Sequence, residues 1–356
     1  MTGKRRTVLM YRLLATLWLL AGIAAAQAAN DYRNNPDMLA LVDELVAKDG
    51  MDRAAVLALL ADAQRQQPIL NAIAKPAEKA LSWAEYRPRF IEDKRITQGL
   101  LFWREHADAL ARANDIYGVP PEIILAIIGV ETRFGRNKGS WRIVDALATL
   151  AFDYPPRAPF FRQQLKEFVL LEKSAHIKLA DATGSYAGAM GFPQFMPSSY
   201  RNFAIDFDND GIIDLINNPV DAIGSVANYF KAHGWQAGAP VAARAAVVTG
   251  TGYDAVVNQG LDAKNTVAQI RQAGLAVISC INNVVIPIEY CADPSPQAKA
   301  TAWKLDGARG TEFWVGFNNF YVITRYNRSE KYSLAVLQLS RELRKAQQLE
   351  AARQEG

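Results

Sequence analysis

The chain has 356 residues, half of them hydrophobic, with 40 Lys and Arg against 36 Asp and Glu and a formal charge of +4. This composition suits a globular chain with a sizeable core and excludes a wholly disordered or collagen-like one. The first 28 residues hold Lys4, Arg5, Arg6 and Arg12 and no acid, so without them the charge falls from +4 to 0. A near-neutral remainder offers no global electrostatic case for binding nucleic acid.

Residues 1–28 have the features of a cleaved export signal: a basic start, the apolar run from Leu13 to Ala26, and small residues around Ala26-Gln27-Ala28. A retained membrane anchor is the alternative, but the run is short for a span and is broken by Gly22. The segment has no Cys, so a cysteine-linked lipid is excluded there. No later stretch offers about 18 uninterrupted apolar residues, and the mature protein is expected to be soluble outside the cytoplasm.

Two short amphipathic helices are predicted between Asn35 and Ala63, with Asp37 and Asp52 as capping acids. From about Ile96 to Ala232 the pattern is mainly helical, interrupted by Pro and Gly clusters at 118–121, 155–159 and 184–197. Within it, GVPPEIILAIIGVETRFG (118–135) predicts an apolar helix with Pro121 in its first turn and Gly135 as its left-handed cap. Glu131 then lies in the last turn, beside Ile127 and Ile128. Desolvation and the negative helix end both disfavour its ionised form and are expected to raise its pKa, which suits a proton donor to a glycosidic oxygen. The competing explanation is an ordinary salt bridge, for example with Arg133.

SYAGAMGFPQFMPSSY (185–200) sets small residues beside an amide and rings. That mixture suits sugar hydroxyls and pyranose faces, and equally a Gly-rich turn over core aromatics. DFDNDGIIDLIN (206–217) then spaces Asp206, Asp208, Asp210, the Ile212 carbonyl and Asp214 much like a twelve-residue calcium loop, with Gly211 at the sharp turn. Four carboxylates this close repel one another without a cation. The loop departs from the pattern at its twelfth position, where Asn217 stands in place of Glu, and a metal-free Asx-rich loop is the alternative.

After Trp235 the runs 241–248, 266–270, 284–288 and 313–325 are rich in β-branched and aromatic residues and predict short strands. Cys280 and Cys291 are the two cysteines, and in an exported chain a disulfide between them competes with two buried thiols. Three His and two Cys leave little material for His/Cys transition-metal chemistry. From Lys331 the spacing is helical again.

Together GVPPEIILAIIGVETRFG, YPPRAPFF, SYAGAMGFPQFMPSSY, DAIGSVANYFKAHGW and FNNFYVITRYNRSEKYSLAVLQL resemble, in order, the lytic transglycosylase B family, from about Asp31 to Leu339. The resemblance implies a mainly α, α+β protein. A helical part (29–95) precedes a lysozyme-like catalytic core with the calcium loop (96–235). A small β-rich domain (236–312) and a segment returning to the core and ending in a helix (313–356) follow.

It also implies a carbon–oxygen lyase that cleaves the β-1,4 bond between N-acetylmuramic acid and N-acetylglucosamine in peptidoglycan and leaves a 1,6-anhydro ring. Glu131 would be the single acid/base, where most glycosidases use two carboxylates. A hydrolytic muramidase using the same Glu131, or a non-catalytic glycan binder, are the other readings. Asp145 and Asp153 are the nearest candidates for a second acid. The substrate-binding residues carried over are Tyr86, Arg157, Ser185, Gln194, Phe195, Tyr229, Tyr326, Asn327 and Tyr332. At the first of two positions where the family often has Arg-Arg, this chain has Pro156. By the same resemblance Asp221 replaces the missing twelfth-position acid of the loop. The expected protein is a periplasmic monomer with glycan strands as partners, room for cell-wall synthesis proteins as others, structural calcium and no catalytic cofactor.

Overall fold

The structure is a computed structural model that describes residues 32–74, 81–173, 177–248, 252–280 and 290–355. The export signal and the strand predicted at 284–288 lie outside the described residues. In chain order the helices and strands are α1 (Pro36–Asp49), α2 (Arg53–Ala61), α3 (Gln67–Ile73), α4 (Trp83–Tyr86), α5 (Asp93–Glu105), α6 (Ala107–Tyr117), α7 (Pro121–Thr132), β1 (Trp141–Arg142), α8 (Ile143–Asp153), α9 (Ala158–Leu170), β2 (Thr183–Gly184), α10 (Pro197–Phe203), α11 (Pro219–Ala232), β3 (Ala242–Val247), β4 (Asn265–Thr266), α12 (Val267–Gln272), β5 (Leu275–Val277), β6 (Lys299–Gly307), β7 (Gly310–Gly316), α13 (Asn318–Tyr326) and α14 (Glu330–Glu355).

These elements form two compact units. The first gathers the described parts of Met1–Lys75, Gly139–Ala189 and Met196–Ser198. Its α1 is capped by Asn35, whose side chain accepts from the amides of Asp37 and Met38. Asp37 therefore lies inside the first turn and is not the cap, because the extended residue before Pro36 is Asn35. Asp52 does cap α2, accepting from Ala55 N at 2.7 Å. The centre of this unit is α8, buried from Ile143 to Ala151 and packed on α9 and α3.

Both second-acid candidates serve local structure in this unit. Asp145 is buried, which pushes its carboxyl up, and it accepts from Gln64 N at 2.9 Å and pairs with Arg142 at 3.2 Å. Asp153 accepts from the Tyr32 hydroxyl and pairs with Arg65 at 3.4 Å.

The second unit gathers the described parts of Pro76–Lys138, Met190–Phe195 and Ser199–Gly356. Helix α7 is its axis, fully or almost fully buried from Ile123 to Gly129. Helix α14 runs along α7 and α5, and α11 packs on α6 and α7. No single helix among the described residues is long and apolar enough to cross a membrane.

The same unit holds an antiparallel five-stranded sheet in the order β4-β6-β7-β3-β5. One apolar cluster under it includes Ala243, Ala245, Ile270, Leu275, Ala302 and Val315. β6 and β7 form a hairpin whose register runs from Gly307↔Gly310 through Trp303↔Trp314 to Thr301↔Gly316.

Several strand expectations are corrected here. Over 266–270 only Thr266 is extended, because it opens α12 through a capping box with Gln269. The run 313–325 is strand to Gly316 and then the helix α13. Strands β5 and β6 lie wholly outside the predicted runs. Cys280 and Cys291 are joined in a disulfide, with Cα atoms 5.0 Å apart.

Candidate active site

The left-handed cap predicted at Gly135 begins two residues earlier. Helix α7 ends at Thr132, and Arg133 (φ 51°), Phe134 (φ 61°) and Gly135 (φ 79°) are left-handed in succession. The turn is closed by Arg133 N donating to Gly129 O at 3.2 Å and Phe134 N to Ile128 O at 3.3 Å. Two non-glycine residues in this region cost about 1–3 kcal/mol each, so packing must hold them. The Phe134 ring fills a notch left by Gly99 and Gly129, where added Cβ atoms would stand 2.8 and 2.7 Å from the ring. The buried Thr132 hydroxyl accepts from Gly135 N at 3.0 Å and donates to Phe192 O at 2.9 Å. The chain is thus turned and tied immediately after Glu131.

Glu131 Oε1 accepts from the Tyr332 hydroxyl, on α14, at 2.5 Å. Tyr332 is buried, and burial together with the negative charge of Glu131 pushes its phenol well above the usual tyrosine range. Tyr326, at the end of α13, is raised for the same two reasons, and its hydroxyl donates to Pro193 O in the Gly-rich segment.

Around Tyr326 stand Phe195 and Tyr229, with ring centres 5.8 and 5.0 Å away. Tyr229 donates to Arg325 O at 2.7 Å, and burial pushes its phenol up to about 12. Tyr86, buried on α4, stacks with Trp83 and tilts against Phe90. The structure therefore brings Phe195, Tyr229 and Tyr326 into one aromatic cluster and sets the Tyr332 hydroxyl on Glu131.

Gln194 adopts φ 51°, and its Nε2 donates to Lys138 O at 3.1 Å and Gly191 O at 3.0 Å. Its amide hydrogens are committed, and Oε1 is the atom left to accept. Asn327 is exposed at the end of α13. The other two candidates stand in the first unit. Ser185 Oγ accepts from Ala187 N and Ala189 N, and the Arg157 guanidinium lies 4.2 Å from the centre of the Phe160 ring.

Thr132, Lys138 and Phe192 were not singled out by the sequence. A hydroxyl residue next to the acid and three before a glycine is a signal for Thr132, whereas Phe192 and Lys138 are brought in by long-range folding.

In the acidic loop, Asp206, Asp208 and Asp210 bring carboxylate oxygens within 4.8 Å of one another. Asp206 accepts from the amides of Asp210 and Gly211, and Gly211 takes φ 89°. Asp214 accepts from Ile216 N and Asn217 N. Asp221 is fully buried and accepts from Phe207 N at 2.7 Å and Asp214 N at 2.8 Å, tying the two ends of the loop. Burial pushes its carboxyl up. The three-carboxylate group is all hard oxygen, and it fits a calcium ion better than a transition metal.

A carboxyl group in the last turn of a buried helix thus accepts from a buried tyrosine, beside a cluster of rings, which is an arrangement suited to acid–base chemistry. The Transglycosylase SLT domain family matches residues 34–341, and the chain belongs to that family. The membrane-bound lytic murein transglycosylase B of Escherichia coli (strain K12) is 42% identical over 322 residues, 88% of this chain and 84% of that one. Catenated lytic transglycosylase SltB1 from Pseudomonas aeruginosa, known by X-ray structure, is 47% identical with a TM-score of 0.81, covering 89% of this chain and 99% of that one. Escherichia coli lytic transglycosylase Slt35 in complex with calcium is 42% identical with a TM-score of 0.77, covering 89% and 95%. The protein is accordingly a peptidoglycan lytic transglycosylase, a lyase with a mainly helical, lysozyme-like α+β fold.

Proposed function

We propose that Glu131 alone acts as acid and base in cleaving the β-1,4 bond between N-acetylmuramic acid and N-acetylglucosamine. The observation that carries this is the Tyr332 hydroxyl donating to Glu131 Oε1, which holds the carboxyl group in place in the last turn of the buried helix. In the first half-reaction the Glu131 carboxylic acid gives its proton to the leaving O4 of N-acetylglucosamine as the C1–O4 bond breaks. The substrate's own 2-acetamido group stabilises the cation at C1. In the second, the Glu131 carboxylate takes the proton from the muramoyl O6 hydroxyl as O6 bonds to C1, which closes the 1,6-anhydro ring and restores the acid.

Tyr332 serves both halves. Its high pKa keeps it a donor, and its hydrogen bond strengthens when Glu131 is ionised. Gln194 through its Oε1, Tyr326 and Asn327 meet the sugars, while the buried rings of Phe195, Tyr229 and Tyr86, expected from the sequence to bind sugar, back this surface from within. Arg157 and Ser185 of the first unit are carried as glycan-binding residues by resemblance alone.

Asp206, Asp208 and Asp210, with the Ile212 carbonyl and Asp214, would hold calcium. When bound, the ion neutralises the carboxylates and rigidifies the loop, and it takes no part in proton transfer. Asp221, expected from the resemblance as a further ligand, has both carboxylate oxygens accepting from backbone amides and supports the loop from behind. Relatives named as murein transglycosylases agree with an extracytoplasmic site of action, reached through the export signal, and with the periplasm as the compartment.

The test is mass spectrometry of products released from peptidoglycan sacculi by the wild type and by Glu131→Gln. Anhydromuropeptides from the wild type alone are expected. Products one water heavier would make it a hydrolase, and release by the variant would remove Glu131 from the role.

A further inference from the structure

Helix α5 begins with an arrangement that helix capping does not explain. Glu92 occupies the N-cap position with an extended backbone, yet its side chain makes no capping bond. Its Oε1, shielded from solvent and without a hydrogen-bond partner among the described residues, lies at ion-pair distance from two guanidinium groups, 3.2 Å from Arg133 Nη2 and 3.9 Å from Arg95 Nη2. Arg133 is the first left-handed residue after the catalytic helix, two positions beyond Glu131.

Arg95 is only 3% exposed, and its Nε and Nη1 have no hydrogen-bond partner among the described residues. A buried, incompletely paired cation is expensive, and this one also faces the like charge of Arg133. The Phe90 ring, 5.2 Å away, offers Arg95 a π face, but Glu92 supplies the anion between the two cations.

We propose that Glu92 is a positioning residue for the transglycosylase reaction: by bridging Arg95 and Arg133 it holds the left-handed turn that aims Glu131. Without it the two guanidinium groups repel each other. Arg133 is 44% exposed at its side chain and is the one free to swing away, whereas Arg95 is enclosed. Because Arg133 is strained at φ 51° and stands two residues from Glu131, its release loosens the end of α7 rather than its buried middle. A small misplacement of the acid lowers the chemical step without changing the sugar-binding surface. The inference rests on Glu131 being the acid/base.

The test measures kcat and KM for anhydromuropeptide release from soluble glycan strands, with melting temperatures, for the full chain carrying Glu92→Gln, Glu92→Asp, the double change Glu92→Gln with Arg95→Met, and Glu131→Gln. The expected result for Glu92→Gln is a loss of about tenfold in kcat with KM within about twofold. Glu92→Asp keeps the anion, and the double variant removes the cation that Glu92 offsets, so both recover kcat to within about threefold of wild type. A purely structural role would make both the loss and the recovery of kcat follow the folded fraction, which the melting temperatures read. Unchanged kcat in Glu92→Gln overturns the proposal, as does a loss that tracks the folded fraction or persists in the double variant. Activity in Glu131→Gln would overturn the underlying assignment, and the proposal with it.

Discussion

The Tyr332 hydroxyl donates to Glu131 Oε1 at 2.5 Å across 201 residues of sequence. The two groups come from different helices, and their meeting depends on α14 lying along α7. A buried hydroxyl that bonds to a carboxyl group is worth most when that group carries charge, which is the state proposed for Glu131 halfway through the reaction.

Tyr332→Phe keeps the ring and its packing and removes only the donor. Loss of a hydrogen bond to a charged group, about 1.5–3 kcal/mol, predicts a fall in kcat of roughly 10- to 100-fold. KM for glycan strands should change little. Steady-state kinetics on the folded variant checks this, and a kcat within twofold of wild type would count against the role.

The raised tyrosines give stability a defined alkaline limit. In the unfolded chain Tyr326 and Tyr332 lose their protons near pH 10, whereas in the folded chain both remain neutral beyond that. Their contribution is complete below about pH 10 and is lost as pH rises toward the folded values. Each then lowers unfolding free energy by about 1.4 kcal/mol per pH unit. Urea unfolding between pH 9 and 11 should show the decline, and a shallower slope in Tyr332→Phe would assign part of it to this residue.

Calcium added after chelation should raise the melting temperature. At a concentration about 100 times Kd the stabilisation is about 2.7 kcal/mol, several degrees for a protein of this size. Asp210→Ala should abolish the rise, and calorimetry with and without a chelator reads it directly.

Gly129→Ala sets two effects against each other. Helix propensity alone favours Ala by about 1 kcal/mol. The new Cβ, however, would stand 2.7 Å from the Phe134 ring and 3.2 Å from Leu339 Cδ2. Overpacking costs about 1–3 kcal/mol, so the net change should be destabilising, with a further loss of activity as Phe134 moves the turn after Glu131. A gain in melting temperature would show that the ring can yield.

Local signals carried part of this architecture well. The apolar helix from Pro121 and the place of Glu131 in its last turn were legible, because periodicity and Pro at the first turn act within a few residues. Other local signals were present and missed. Thr266-Val-Ala-Gln269 is a capping-box pattern that opens α12, and Gly307 and Gly310 flank the two-residue turn of the β6–β7 hairpin. The run Asn318–Tyr326 is different in kind. Its β-branched and aromatic residues favour a strand, but as a helix it packs Phe320 against Trp303, and burial outweighs a propensity difference of tenths of a kcal/mol.

By itself the sequence determined the family, through five motifs in order, the place of Glu131 in the last turn of an apolar helix and the spacing of the acidic loop, since each is written in residues close along the chain. Tertiary structure alone decided which groups surround Glu131. Tyr332 at its carboxyl, Phe134 in the notch of Gly99 and Gly129, and Glu92 between Arg95 and Arg133 all depend on helix packing. The contacts of Tyr332 with Glu131, of Phe134 with Gly99 and of Arg133 with Glu92 join residues distant along the chain, and no local periodicity or cap encodes them.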